Sequence, residues 1–429
     1  STIDFRIVYP IVKFLLDFKL ESSSGSLFRE SLRIQLLQEC IHLDPVNKPD
    51  VSYVEYFWSH LDYSKKSVCP DIGRLLTDLE FCSNLDTPCS VTEALKENAA
   101  YGDLGCEVSV LTLESESRVR KAFAKLEELR LERNSVVEHS SESSYVLAAT
   151  TISEFLLEAV SWSFGVGYVK LFPSVIIPAL LEFFNISEEV QLGATAVRLI
   201  RKFGNLPCPK IYLQSHIEAI VKVASSATNW HQRLAMLSYI QTFFFRQLFV
   251  MTSEQRLLFV ISASNMLNDS QLEVRETAAE TLSGMIRCSP IQEQAQLIKT
   301  LSTKFNTLLS TYKFPKPKRN RTGAIIPSGT ATPSSEYQQI SLKRHAAVLG
   351  LGALVAAFPY KSPPPKWVPQ ILATLAVVAS DPGMVGKSVK TLLGDFKNTR
   401  NDTWHVDSKA FTTEQLEDLE GVLWKNYFV

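Results

Sequence analysis

Apolar residues recur every three or four positions along most of the chain, which is the spacing of one helix face. Ile7, Ile11, Phe14, Leu15 and Phe18 predict a helix that a Ser/Gly turn over 22–25 ends. Leu32, Leu36, Leu37 and Cys40 predict a second helix over Leu27–Leu43. Residues 61–106 are less regular, with only weak strand-like content. The segment Glu114–Arg133 is densely charged, with many opposite charges four apart, and reads as a helix with a solvated face. Asn134–Ser144 is polar and Ser-rich and reads as an exposed linker.

From residue 145 the pattern becomes helical and repetitive. The clearest unit is Asp269–Leu282, whose skeleton is Asp269, then Val274-Arg275, then Ala278, then Leu282. It resembles the second helix of a HEAT repeat. The small Ala lets paired helices approach, Val and Leu face the shared core, and Asp and Arg can bond between neighbouring repeats. With Arg275 as marker, Arg233 and Gln191 stand 42 and twice 42 residues earlier. Arg344 follows 69 residues later and Lys387 another 43 after that. A period in the forties belongs to HEAT and armadillo arrays. The long interval equals one repeat plus an insertion of about 27 residues. The predicted fold is therefore all-α, a HEAT/armadillo-like helical solenoid with long inserted loops. Its expected parts are 1–144, helical repeats with irregular polar segments and a linker; 145–340, HEAT-like repeats with an insertion at 313–339; and 341–429, a terminal cap with a tail.

The insertion contains four prolines and a basic cluster of Lys313, Lys316, Lys318, Arg319 and Arg321. Such a cluster can serve nuclear import, bind an anion, or only solubilise a loop. The run Ala346–Phe358 is too short to span a bilayer and is interrupted by Gly350 and Gly352. Beyond a stiff Pro-rich connector at 359–369, the apolar stretch Gln370–Ser380 predicts a buried helix, and another is expected from about Lys387 to Phe396. Thr412 and Gln415 fit the capping box of a last helix, held by Leu416, Leu419 and Leu423. The sequence then runs into Tyr427, Phe428 and Val429. An apolar tip with a carboxylate can plug a partner's pocket or fold back on its own helix.

Composition narrows the function. The 429 residues exceed one ordinary core, and 45% apolar with 21% charged residues is globular composition. Lys+Arg 44 against Asp+Glu 45 leaves no global charge argument for nucleic acid or membrane. Seven scattered cysteines without a Cys-x-x-Cys pair fit buried free thiols rather than a disulfide framework or zinc site. No signal peptide is expected at the start, and Ser1 in place of Met reads as a processed piece or a fragment of something longer. Enzyme motifs are missing. Gly383–Ser388 ends like a phosphate loop but reads as a helix start. Phe243–Phe245 with Phe249 reads as repeat core, and Asp402, His405 and Asp407 as a capped surface turn.

A family resemblance rests on residues 341–429. Arg344–Leu354, Phe358-Pro359-Tyr360, Trp367-Val368-Pro369, Asp381-Pro382, Lys390–Leu392, Phe396-Lys397, Asp402–Trp404 and Phe411–Leu419 resemble the C-terminal region of the large ATP-independent proteasome activators. These are the subunit 4 type and its fungal bleomycin-resistance counterparts. The match is strong over 341–429 and weaker through Trp230 and Asp269–Leu282. The resemblance implies a HEAT-like solenoid, no enzyme activity of its own, and a nuclear and cytoplasmic protein. The implied partners are the α-ring of the 20S core and histones or other substrates, without direct nucleic-acid or membrane binding. It implies that Tyr427, Phe428 and Val429 enter a pocket between two α subunits and help to open the gate. The Val429 carboxylate would pair with a lysine, the Phe428 ring would wedge against backbone, and Tyr427 would bury apolar area. The family usually has Tyr where Phe428 stands and Ala where Val429 stands. The lost hydroxyl hydrogen bond is worth about 1 kcal/mol. No cofactor is required. Members bind inositol phosphate, but no ligand residue here matches by motif. An acetyl-lysine reader is not carried over, because Cys288-Ser289-Pro290 stands where an Asn-Phe pair is expected. The alternative is a HEAT-repeat scaffold or transport adaptor that binds protein partners on a concave face.

Overall fold

Within each of two compact units, the helices that carry the repeat markers pack one helix pair apart: those of Gln191 and Arg233 in the first, and those of Arg275, Arg344 and Lys387 in the second. The computed structural model describes residues 34–35, 38–39, 51–63, 65–84, 111–136, 140–161, 163–315 and 335–423. Among these the fold is all-α, with no strand. Two compact units divide at Val250/Met251. This division is not one of the predicted boundaries, whose parts were drawn from repeat pattern rather than from packing.

The first unit holds α1 (Val51–Ser59), α2 (Cys69–Asn84), α3 (Leu113–Asn134), α4 (Ser144–Ala159), α5 (Ile177–Glu182), α6 (Val190–Gly204), α7 (Lys210–Ser226) and α8 (Trp230–Gln247). Helices α2, α4, α6 and α8 pack in sequence as one row, while α3 and α7 cover α4 and α8. The second unit holds α9 (Ser253–Met266), α10 (Leu272–Cys288), α11 (Ile291–Thr311), α12 (Ser335–Ala356), α13 (Val368–Val378), α14 (Met384–Thr399), the short α15 (Trp404–Asp407) and α16 (Thr413–Leu423). There α10, α12 and α14 form the row, with α9, α11 and α13 beside them. Pairing with the next-but-one helix is the packing order of a helical solenoid, in which each repeat buries its apolar face on its neighbours.

Several expectations change. The irregular stretch after residue 61 contains α2, whose Ile72, Leu75, Leu76 and Leu79 are all buried at helical spacing. Gly73 masks that pattern and is also the reason for the fit. A Cβ there would stand 2.5 Å from the Thr151 carbonyl oxygen and 2.9 Å from the Phe155 nitrogen, so α2 and α4 cross at backbone contact. The charged α3 does expose its acid–base pairs, but it buries Val119, Phe123, Leu126 and Leu129 along one stripe. The buried-thiol reading holds for Cys69 and Cys208 but fails for Cys288, which is exposed near the end of α10. Phe243 and Phe244 are core, whereas Phe249 lies beyond α8 and is 96% exposed. The apolar residues of α13 are buried except Val377, which faces outward at 71% exposure. Most of the first two predicted helices and the insertion from 316 to 334 lie outside the described residues. Within the predicted insertion, residues 335–339 already belong to α12.

Two buried histidines are held neutral, one in each unit. His216 shares a 2.6 Å hydrogen bond between its Nε2 and the Tyr239 hydroxyl, and stacks on Phe243. In the second unit Arg275 Nε donates to His345 Nδ1 at 3.0 Å. A nitrogen that accepts carries no proton, so Nε2 of His345 holds it and donates to Ser388 Oγ at 2.9 Å. One imidazole thus links α10, α12 and α14. Burial pushes both histidines down to about 4, and the Arg275 charge adds to the effect at His345.

Gly73→Ala is expected to cost about 1–3 kcal/mol by forcing two backbones apart, read as a lower urea midpoint. The histidines give a pH dependence. The unfolded chain takes up protons at their ordinary pKa near 6.5, while the folded chain resists until about 4. Their stabilisation is therefore complete above pH 6.5 and is lost as pH falls from 6.5 toward 4. Urea midpoints should decline across that window, and His345→Gln should flatten part of the slope.

Candidate functional site

The helix most relevant to a docking tail is α16, and its base is built from buried charges that sequence periodicity does not register. Its start is conventional. Gln415 N–H donates to Thr412 Oγ1 at 3.3 Å, and Thr412 N–H donates to the Gln415 side chain at 3.0 Å, completing the predicted capping box. Leu419 is buried, Leu416 is half-buried, and α16 packs on α13 and α14. Phe411, just before the cap, packs against Trp404 at 5.6 Å and Phe396 at 6.5 Å between ring centroids.

Below these rings lies a buried ion pair. Arg400 follows α14 and is 2% exposed, and Asp407 ends α15 and is fully buried. Arg400 Nη1 donates to Asp407 Oδ2 at 2.9 Å and to the Lys361 carbonyl at 2.9 Å. Its Nη2 donates to the Phe358 carbonyl at 3.1 Å. Asp407 also accepts from Ser362 Oγ at 2.6 Å and Thr403 Oγ1 at 2.7 Å. Burial alone would raise the Asp407 pKa, but the hydrogen bonds from Ser362, Thr403 and Arg400 outweigh it and hold the carboxyl below its usual value. The guanidinium lies over the Phe396 ring at 4.8 Å. Asp407 is therefore no surface turn residue, because the Pro-rich connector closes over it. His405 and Asp402 are exposed and do not join it. No cluster that could hold a metal ion occurs among the described residues.

A second pair secures the other end of the same module. Arg344 on α12 donates through Nε to Asp381 Oδ2 at 2.6 Å and through Nη1 to the Leu309 and Tyr312 carbonyls at 2.9 and 2.6 Å. Asp381 opens the turn into α14, where Gly383 has φ +67° and caps the helix. A Cβ at Gly386 would meet the Ala379 carbonyl at 2.9 Å, so both glycines serve this turn. The phosphate-loop look-alike is a helix start, as its spacing suggests. Lys387 is exposed and does not reproduce the marker's bonds.

The other predicted site residues are not brought together. Tyr427, Phe428 and Val429 lie outside the described residues, as do Lys316, Lys318, Arg319 and Arg321. Lys313 is exposed just past α11. Among the described residues no helix is long and apolar enough to cross a membrane. Arg400 escaped the sequence reading, and the buried pairing of Asp407 and Asp381 was not foreseen. Their only signal is charge at the ends of strongly apolar segments, which solvated ends show equally.

Comparison with known proteins places these features in a lineage. Residues 341–429 match the family described as proteasome activator complex subunit 4-like, C-terminal. The human proteasome activator complex subunit 4 is 27% identical over 98% of this chain. The Saccharomyces cerevisiae proteasome activator BLM10 is 28% identical over 96% of it. The Xenopus laevis subunit 4 is 30% identical over 68% of it. The chain spans only 22%, 18% and 15% of the length of these three relatives. Over residues 341–429 the chain carries the C-terminal domain of the proteasome activator complex subunit 4-like family, and over nearly its whole length it is a relative of these activators.

Proposed function

We propose that the protein acts as a proteasome activator that caps the 20S core and docks its Tyr427-Phe428-Val429 tail between α subunits to promote gate opening without ATP. The observation that carries this reading is the family match over 341–429, because it includes the helix that leads into the tail. The physical support is a rigid base: α16 is capped at Thr412 and held by Leu419, so its far end has a defined direction. A short apolar tail gains most from such a base, since ordering loosely tethered residues costs binding free energy. The same proposal takes histones or other proteins as substrates and has the protein in nucleus and cytoplasm. There the Lys313, Lys316, Lys318, Arg319 and Arg321 cluster serves import or holds an anion such as inositol phosphate.

Deleting Tyr427–Val429 from the full-length protein should abolish or sharply weaken capture of 20S core and stimulation of its peptidase activity. Unchanged capture and stimulation would sink tail docking. Phe428→Tyr should strengthen stimulation about fivefold, the factor that about 1 kcal/mol of restored hydrogen bond provides.

A further inference from the structure

We infer that Arg400 and Asp407 are positioning residues for the tail: their buried pair sets the direction in which α16 leaves the module. The inference rests on the tail-docking reading and names the part of this chain that makes the tail effective. One guanidinium is bonded to three stretches that are separate in sequence. These are the end of α12 through the Phe358 carbonyl, the connector through the Lys361 carbonyl, and α15 through Asp407. From it runs a short path to α16: the guanidinium covers Phe396, Phe396 meets Phe411 edge-on, and Phe411 precedes the Thr412 cap. Rotating or sliding Phe411 would turn the whole of α16.

The chemistry of the pair argues for a geometric role. Taking two charges out of water costs several kcal/mol per ion, and well-packed apolar residues commonly hold a core at least as firmly. What a planar guanidinium adds is direction, because its donors point along fixed lines in one plane. Here those lines end on two carbonyls and a carboxylate that Ser362 and Thr403 also hold. Lysine at 400 would keep the charge and lose the fixed plane. Asparagine at 407 would keep much of the shape and lose the charge. Arg400→Lys gives up fixed donors and Asp407→Asn leaves the buried guanidinium without its counter-charge, and both loosen the angle of α16.

The test uses full-length protein carrying Arg400→Lys or Asp407→Asn, each with and without deletion of Tyr427–Val429. Core capture, peptidase stimulation and melting temperature are measured together, with Gly73→Ala as a control destabilised in the other unit. The expected result is at least fivefold weaker capture for Arg400→Lys and Asp407→Asn at temperatures where both are folded. Gly73→Ala should leave capture unchanged despite its lower melting temperature. On the tail-deleted protein, with capture read at concentrations where the remainder is measurable, neither substitution should weaken it further. Full capture by Arg400→Lys and Asp407→Asn, with the tail deletion still harmful, overturns the positioning role alone. So does an equal loss on the tail-deleted background, which is what a merely structural role would give. A tail deletion that leaves capture intact overturns tail docking and this inference with it.

Discussion

Carbonyls left without a helical partner, at helix ends and in the turns that follow them, are the constraint that these helix arrays meet again and again. Each α-helix leaves its last carbonyls without an internal partner, and a stack of helices places many such ends side by side. The chain answers repeatedly with arginine. Arg233 donates to the Ala227 and Thr228 carbonyls after α7. Arg275 donates to those of Asp269 and Ser270 after α9. Arg344 caps α11, Arg287 reaches the Ala356 and Ala357 carbonyls at the end of α12, and Arg400 takes the Phe358 and Lys361 carbonyls in the connector. In the first unit Gln232 and Gln247 do the same for the Leu181 and Leu206 carbonyls. A guanidinium can satisfy two carbonyls and still reach a carboxylate or an imidazole, which a lysine point charge does less well.

The two units differ at their centres. In the first, the centre is aromatic: Phe172, Phe203, Tyr239 and His216 lie in near-parallel contact. In the second, buried polar links run across the row, through Arg275, His345 and Ser388, and through Arg344 and Asp381. The first unit has directional polar links too, at Glu80, which accepts from Trp58, Ser115 and Arg118.

The helical class and the row helices were legible because burial on one face imposes a 3.6-residue spacing on apolar side chains. Ala278 and Leu282 report that spacing without help from any distant residue, and both are fully buried. The capping box of α16 was legible for the same reason, since Thr412 and Gln415 act within one helical turn. The marker Arg275 was legible as a repeat, and its bonds to the preceding turn give the repeat a cause. Its link to His345, 70 residues away, was not. Helix α2 was missed because Gly73 and a cysteine-proline start break a pattern that only the neighbour α4 explains.

By itself, then, the sequence determined most of the helical segments from residue 145 onward, where the repeat recurs, and which family the residues from 341 onward resemble. Those properties depend on neighbours within a few positions or on pattern alone. Tertiary structure alone decided which charges are buried and paired. Asp407 looks like any polar turn residue until the connector brings Ser362 onto it, and Arg400 like any solvated helix end until the carbonyls of Phe358 and Lys361 meet it. Phe249 and Val377 show the converse, apolar residues left exposed where local pattern would bury them. The physical reason is common to all four. Burial is a property of the space around a side chain, and chain segments tens of residues away fill that space.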